Sequence, residues 1–107
     1  MLEAARKIAA FTHGGRRRDL DDDELLALAV VRLLEILGEA ANSVTPTFAN
    51  DQPNIPWRSL SGMRNRLIHG YFSVDLDIVW QVITSDLPPL IAALETLLGK
   101  VDDMGSS

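Results

Sequence analysis

Apolar residues recur at intervals of three or four along most of this chain, which is the spacing of one face of an α-helix. Residues 1–12 follow this pattern and end at Gly14-Gly15, which predicts a first helix closed by a glycine stop. Residues 23–43 follow it most strongly and predict the longest helix. No stretch alternates between apolar and polar residues as a half-buried strand does, so the pattern predicts an all-α fold.

Proline and glycine mark the ends of the middle segments. Pro46 can open one short helical turn, because proline fits the first position of a helix. Pro56 takes the same place in a second helix, which the pattern predicts to run to about His69. Gly70 follows directly and is a natural helix end, so residues 71–74 are expected to form a loop.

The last long helix begins at Asp75 or Asp77. Pro88-Pro89 interrupts it, because proline lacks a backbone donor and clashes with the preceding turn. A kink or break is therefore expected near residues 85–87. After the prolines the apolar pattern resumes, and the helix is expected to stop at Gly99.

Length and composition indicate one foldable domain. The chain has 107 residues, with 47% hydrophobic and 23% charged residues, which predicts a single antiparallel bundle of four or five helices over residues 1–100. Residues 101–107 are expected to form a flexible tail. Cysteine is absent, which excludes disulfides and thiolate metal sites and fits a cytoplasmic protein. No secretory signal is evident, and no apolar run approaches the roughly 18 residues of a membrane span.

The predicted helix over residues 23–43 is more apolar than a single small domain can cover. Its polar residues fall on one narrow stripe, whereas a surface helix ordinarily buries about a third of its circumference. A chain of this size has little core with which to cover the remainder. The pattern therefore predicts a helix that packs in its own bundle on one side and against a second subunit on the other, in a homodimer.

Charge is unevenly distributed along the chain. The net charge is −5, so RNA binding would need a local basic patch. The window from Gln52 to Val74 contains no acidic residue but several arginines, which makes Arg58 and Arg66 candidates for RNA binding. The alternative is that these arginines are simply solvated. The turn Arg16-Arg17-Arg18, followed by aspartates at four of residues 19–23, is predicted to be a solvated loop.

The acid-free window also contains residue types that can cleave RNA. Histidine can take or give a proton near neutral pH, arginine can hold phosphate oxygens, and asparagine can orient either group. On an ideal helix Asn65 and His69 share a face, but Arg64 and His69 are separated by about 140°. They can serve one site only if His69 lies at the helix end or a second subunit completes the site. Alone, such a histidine is more typical of a helix cap.

The whole chain resembles the HepT-like branch of the HEPN superfamily. The central feature is the pattern Arg-Asn-x-x-x-His-x-Tyr from Arg64 to Tyr71. The opening helix resembles the family as well, although members usually carry more helix before the position of Met1, which predicts a shortened first helix here. The other segments that carry the resemblance are Ile55-Pro56-Trp57-Arg58, Gly62-Met63, Phe72, Val74-Asp75, Val79-Trp80, Asp86-Leu87-Pro88-Pro89-Leu90 and Glu35-Ile36-Leu37-Gly38-Glu39-Ala40-Ala41.

This resemblance implies a metal-independent endoribonuclease toxin that needs no cofactor. It implies an α-helical homodimer in which two motifs face each other, with Arg64 and His69 as catalytic residues and Asn65 assisting. It also implies a cognate antitoxin, a minimal nucleotidyltransferase of the MntA type that transfers AMP from ATP to Tyr71. The alternatives are a non-catalytic nucleotide-binding or regulatory subunit of a nucleotidyltransferase, and a plain helical dimerisation domain.

Overall fold

A computed structural model describes residues 1–69 and 73–105; for residues 64, 68, 69, 73 and 100–105 it describes the secondary structure alone. Most of the described residues are helical, which confirms the expected helical fold in this coarse form. The elements in chain order are α1 (Leu2–Thr12), α2 (Asp19–Asp22), α3 (Glu24–Asn42), α4 (Pro46–Asp51), α5 (Trp57–Ser61), α6 (Met63–Leu67), β1 (Ile68–His69), β2 (Ser73–Val74), α7 (Leu76–Gln81), a π-helical turn (Val82–Asp86) and α8 (Leu87–Gly105).

Three helices begin where the sequence places a capping side chain. The Asp23 carboxylate accepts a hydrogen bond from the backbone N–H of Leu26 at the start of α3 (3.0 Å). The Thr45 hydroxyl oxygen accepts one from Phe48 at the start of α4 (3.2 Å). The Asp75 carboxylate accepts bonds from the first turn of α7 (3.1 and 3.2 Å). Each cap satisfies backbone donors that have no partner within the helix.

The helix predicted to run to His69 ends earlier, at Leu67. The carbonyl oxygen of Leu67 accepts a hydrogen bond from the backbone N–H of Asp75 (2.8 Å). β1 then pairs with β2 in an antiparallel ladder, with Ile68 opposite Val74 and His69 opposite Ser73. The expected loop over residues 71–74 is therefore wrong for its last two residues, which pair with β1, while residues 71 and 72 lie outside the described residues.

The proline pair disturbs the last helix without breaking it. The backbone N–H of Leu87 donates to the carbonyl of Val82, five residues earlier, instead of four as in an α-helix. Neither Pro88 nor Pro89 has an N–H to donate, so an α-helical turn could not be completed there. The helix continues through one π-helical turn instead, at the place where the sequence predicts a kink or break.

The expected stop at Gly99 is wrong, since α8 continues to Gly105. A Cβ built on Gly99 would meet no atom within 4 Å, and its backbone lies outside the left-handed region. A glycine in ordinary helical conformation weakens a helix without ending it.

The helical stretch Leu76–Gly99 is long and apolar enough to cross a membrane by length and composition. The sequence reading found no such run, because polar residues interrupt the apolar ones. Core helices of soluble proteins can meet the same criterion. In this stretch 28% of the apolar window is buried, and Val79, Leu87 and Leu90 lie in the core.

The core places α3 directly against the helices that carry the candidate site. Leu34, Leu37 and Leu67 are fully buried there. Gly38 allows the closest approach, because a Cβ at this position would lie only 2.7 Å from the carbonyl oxygen of Leu60. The position of α5 and α6 therefore depends on the missing side chain of one glycine in α3.

The opposite side of α3 is exposed and carries charged as well as apolar residues, since Arg32 forms ion pairs there with Glu35 (3.3 Å) and Glu39 (3.8 Å). Leu25 is 80% exposed, Leu28 60% and Ile36 37%. Their spacings of three and eight residues place them on one side of the helix. Three apolar side chains of this helix are thus left uncovered by the chain, and the second subunit that would cover them remains a prediction.

Candidate active site

The motif begins on α6, and α5 and α6 stay in one helical register. The backbone N–H of Gly62 donates to Arg58 (3.1 Å), and that of Arg66 donates to the carbonyl of Gly62 (3.2 Å), so four-residue hydrogen bonds continue on both sides of the break. Arg58 and Asn65 are seven residues apart, about two turns, and therefore lie on the same face. Both are exposed, which leaves this face open to solvent.

Arg64 and His69 lie in different secondary-structure elements. Arg64 lies in α6, whereas His69 lies in β1, two residues beyond the end of the helix. The angle of about 140° that an ideal helix would impose on them no longer applies. Of the two conditions under which these residues could share a site, the structure meets the first, since His69 lies past the helix end. Their side chains lie outside the described part of the chain, as does all of Tyr71.

Arg66 lies in different surroundings from Arg58. Its guanidinium Nη2 donates to the Asp86 carboxylate (3.4 Å), and the two side chains are 35% and 43% exposed. The pair lines a groove of ≈ 400 Å³ whose apolar wall includes Leu34, Met63 and Pro89. Arg66 is thus bound to a carboxylate, while among the described residues Arg58 has no ion-pair partner.

The start of α7, which follows the motif in sequence, is connected to the N-terminal part of the chain. Arg17 Nε donates to the carboxylate of Asp77 (2.8 Å), in the first turn of α7. This hydrogen bond raises the pKa of Arg17 further above its ordinary value, with a smaller contribution from Asp21. Sequence reasoning missed this contact, because residues 60 positions apart give no local signal.

Comparison with known proteins decides the family. Residues 1–97 match the model of the family described as ribonuclease HepT-like. The chain therefore belongs to the HepT-like ribonuclease family. This confirms the resemblance that the motif and its flanking segments indicate.

Relatives of similar length support the HepT-like assignment. A protein of Thermococcus cleftensis, named as a candidate ribonuclease HepT, is 39% identical over 97 residues, which cover 91% of this chain and 88% of that protein. A candidate RNase of Methanocaldococcus jannaschii is 34% identical over 95 residues, covering 89% and 87% of the two chains. A candidate RNase of Caldanaerobacter subterraneus is 38% identical over 82 residues, covering 77% and 73%. No solved structure matches significantly.

Two residues, Gly38 and Asp86, lie in segments that carry the family resemblance, but their contacts with α5 and α6 could not be predicted from the sequence. Gly38 reads as a weak point inside a helix, and its close contact with α5 depends on tertiary packing. Asp86 precedes two prolines, and its partner Arg66 lies 20 residues away in sequence. In both cases the one signal in the sequence is a residue type that is unfavourable at its place in a helix: a glycine in the interior of α3, and an aspartate between buried apolar positions.

Proposed function

We propose that this HepT-like ribonuclease cuts RNA internally, without a metal ion, as the cytoplasmic toxin of a toxin–antitoxin pair. The observation that carries the proposal is the family match over residues 1–97, in a chain that keeps Arg64, Asn65, His69 and Tyr71. The open face of Arg58 and Asn65 beside this segment supports it, because RNA needs an accessible surface with local positive charge.

The proposed reaction is an internal transesterification. One imidazole removes the proton of a 2′-hydroxyl, whose oxygen bonds to the neighbouring phosphorus while the bond to the 5′-oxygen breaks. A second, protonated imidazole gives its proton to that leaving oxygen. Arg64 stabilises the added negative charge, and Asn65 orients the phosphate. The products carry a 2′,3′-cyclic phosphate and a 5′-hydroxyl, and two copies of His69 supply base and acid.

Cleavage in the presence of a chelator tests this reaction. The purified, unmodified protein is incubated with single-stranded RNA and EDTA, and the ends of the products are identified by mass spectrometry. Cutting that yields 2′,3′-cyclic phosphate ends is expected. Loss of activity with chelator and its return with a divalent ion would exclude the metal-free mechanism, and no cutting under any condition would favour the regulatory-subunit alternative.

A second copy of the chain is the proposed partner of the exposed α3 face. Leu25, Leu28 and Ile36 are apolar side chains of α3 that one chain leaves exposed, and an interface that includes them would cover this surface. Light scattering should give a dimer, and Leu28→Glu should dissociate it and abolish cutting. Leu98→Glu, at an exposed leucine on α8, is the matched control and should leave the dimer intact. A wild-type monomer would contradict the proposal.

The proposed control is AMPylation of Tyr71 by a minimal nucleotidyltransferase antitoxin. The modification would add a phosphodiester charge and a nucleoside two residues from His69, where they would compete with the RNA backbone for Arg64. The antitoxin with ATP should raise the mass of the chain by one or more AMP units and silence cutting. Tyr71→Phe should escape both effects. A Tyr71→Phe chain that is still modified and neutralised would place the control site elsewhere.

A further inference from the structure

Asp86 occupies an unusual position in the last helical stretch. It lies three residues after Ile83 and four residues before Leu90, and both of these side chains are buried. In an uninterrupted α-helix, residues at these spacings share one face, so Asp86 would point into the core. The structure leaves 43% of its side chain exposed instead.

The π turn explains this exposure. Leu87 donates to Val82, five residues back, so the turn contains one residue more than an α-helical turn. The extra residue rotates Asp86 out of the buried stripe and onto the flank of the helix, where its carboxylate meets Arg66 (3.4 Å). The proline pair that follows therefore determines both the π turn and the position of this carboxylate.

The partner of Asp86 lies on the helix that carries the motif. α6 has only five residues, and of these Met63 and Leu67 are buried. Within the described part of the chain, the bond from Arg66 to Asp86 is the one side-chain hydrogen bond that joins α6 to another element. Backbone hydrogen bonds to Gly62 and from Asp75, together with these two apolar anchors, hold the short helix in place, and the charged bond on its flank adds a directional restraint on its rotation.

We propose that Asp86 is a positioning residue, which through Arg66 fixes the orientation of α6 and with it the placement of Arg64 and Asn65. The inference rests on the proposed function and gives Arg66 a different role from the RNA contact that the sequence predicts. Because both side chains are more than one-third exposed, the pair contributes little to overall stability. Its effect should therefore appear as a loss of cleavage rate, and not as unfolding.

Steady-state cleavage by four variants tests the proposal: Asp86→Asn, Arg66→Gln, the double variant and Asp86→Glu. Asp86→Asn should lower kcat roughly tenfold with little change in KM, because small misplacements of catalytic groups are costly. The double variant should be no worse than either single one, since both remove the same bond. Asp86→Glu should recover part of the rate, because its carboxylate can still reach Arg66.

The matched control is Asp77→Asn. It removes an aspartate from the same helical stretch that also binds an arginine, Arg17, at 2.8 Å. This control should retain the wild-type kcat. All variants are compared at a temperature at which circular dichroism shows each of them folded.

If Arg66 instead contacts RNA directly, the opposite results are expected, and observing them would overturn the proposal. Asp86→Asn would then release Arg66 for the RNA, so KM would fall and kcat would hold. Arg66→Gln would raise KM and reduce the salt dependence of binding by about 0.7 in log–log slope, as expected for one lost phosphate contact on a single strand. A wild-type kcat in Asp86→Asn would overturn the proposal as well.

Amide hydrogen exchange separates this inference from the proposed function. Asp86→Asn should speed the exchange of backbone amides in α6 and β1, whether or not the chain cuts RNA. Faster exchange in a chain whose wild type cuts no RNA would keep the positioning role and reject the function. Unchanged exchange together with unchanged kcat, in a wild type that cuts RNA, would reject the positioning role alone.

Discussion

Two stretches of the chain are rich in arginine, and their arginines have different surroundings. In the turn Arg16-Arg17-Arg18, Arg17 contacts both Asp21 (3.0 Å) and Asp77 (2.8 Å), and Arg18 lies 3.8 Å from Asp22. In the acid-free window Gln52 to Val74, Arg58 is exposed and has no ion-pair partner among the described residues. The first stretch has more arginines per residue, but the second has more uncompensated positive charge.

The difference shows that arginine density alone does not locate an RNA-binding surface. An arginine that already binds two carboxylates would have to give them up to bind a phosphate, and the acidic neighbours would repel the RNA backbone. Arg58 faces no such cost, and it shares its helical face with Asn65. The acid-free window is therefore the better candidate for substrate binding, and the arginine turn the better candidate for a structural contact.

The largest expected contrast between the two regions is in catalysis. Arg64→Ala and His69→Ala should each lower cutting by a factor of roughly 10² or more, the usual scale for charge stabilisation and for acid–base groups. Arg17→Ala, in the arginine turn, should cut RNA at the wild-type rate. Initial rates on a labelled RNA give the comparison, and a wild-type rate in either motif variant would remove that residue from the site.

A smaller effect should come from moving the motif helices without changing any charge. Gly38→Ala places a Cβ 2.7 Å from the carbonyl of Leu60, so α5 must shift, at a cost of about 1–3 kcal/mol for overpacking. Urea unfolding should show this loss, and cutting should fall with it. The control is Gly99→Ala in open space, which should stabilise α8 by up to about 1 kcal/mol. Equal behaviour of the two variants would show that the close approach at Gly38 is unimportant.

The helices could largely be predicted from the sequence because their signals are local. Asp23, Thr45 with Pro46, and Asp75 mark three helix starts, and each is observed. Apolar spacing likewise predicted the exposed leucines of α3, since only one face of a helix can be buried in a single small domain. In these cases a few adjacent residues contain the physical cause.

The site could be predicted only as a set of residues. The turn from α6 into β1 depends on a hydrogen bond between Leu67 and Asp75, and the placement of Arg66 depends on Asp86. Both contacts join residues that are distant in sequence and leave no periodic pattern. The sequence therefore predicts a helix end at His69, two residues beyond the observed end at Leu67, and predicts Arg66 as an RNA contact or a solvated residue without its partner Asp86.

A modest effect on RNA binding should distinguish the arginines of the two regions. Arg58→Gln should weaken RNA binding a few-fold and reduce the salt dependence by about 0.7 in log–log slope, because one phosphate contact is lost. Arg16→Gln is the matched control from the arginine turn, where the Asp19 carboxylate accepts a hydrogen bond from the backbone of Arg16 (2.8 Å). It should leave binding unchanged. If Arg16→Gln lowers the slope and Arg58→Gln does not, the assignment of the two regions is reversed.

The smallest expected effect is on stability, through Arg17. Its bonds to Asp77 and Asp21 connect the arginine turn to the start of α7, but the aspartate side chains are 85% and 56% exposed, so water and salt screen the attraction. The hydrogen bond to Asp77 raises the pKa of Arg17 in the folded chain. A raised pKa contributes stability that is lost only as pH rises through it, far above neutrality, so this contribution should not vary across neutral pH.

Arg17→Gln should therefore lower the thermal midpoint slightly, by an amount that shrinks as salt is added and stays constant across neutral pH. Differential scanning calorimetry in low and high salt measures the change. A large loss of stability, or a loss that salt does not reduce, would mean that Arg17 acts through packing of its side chain instead of through its charge.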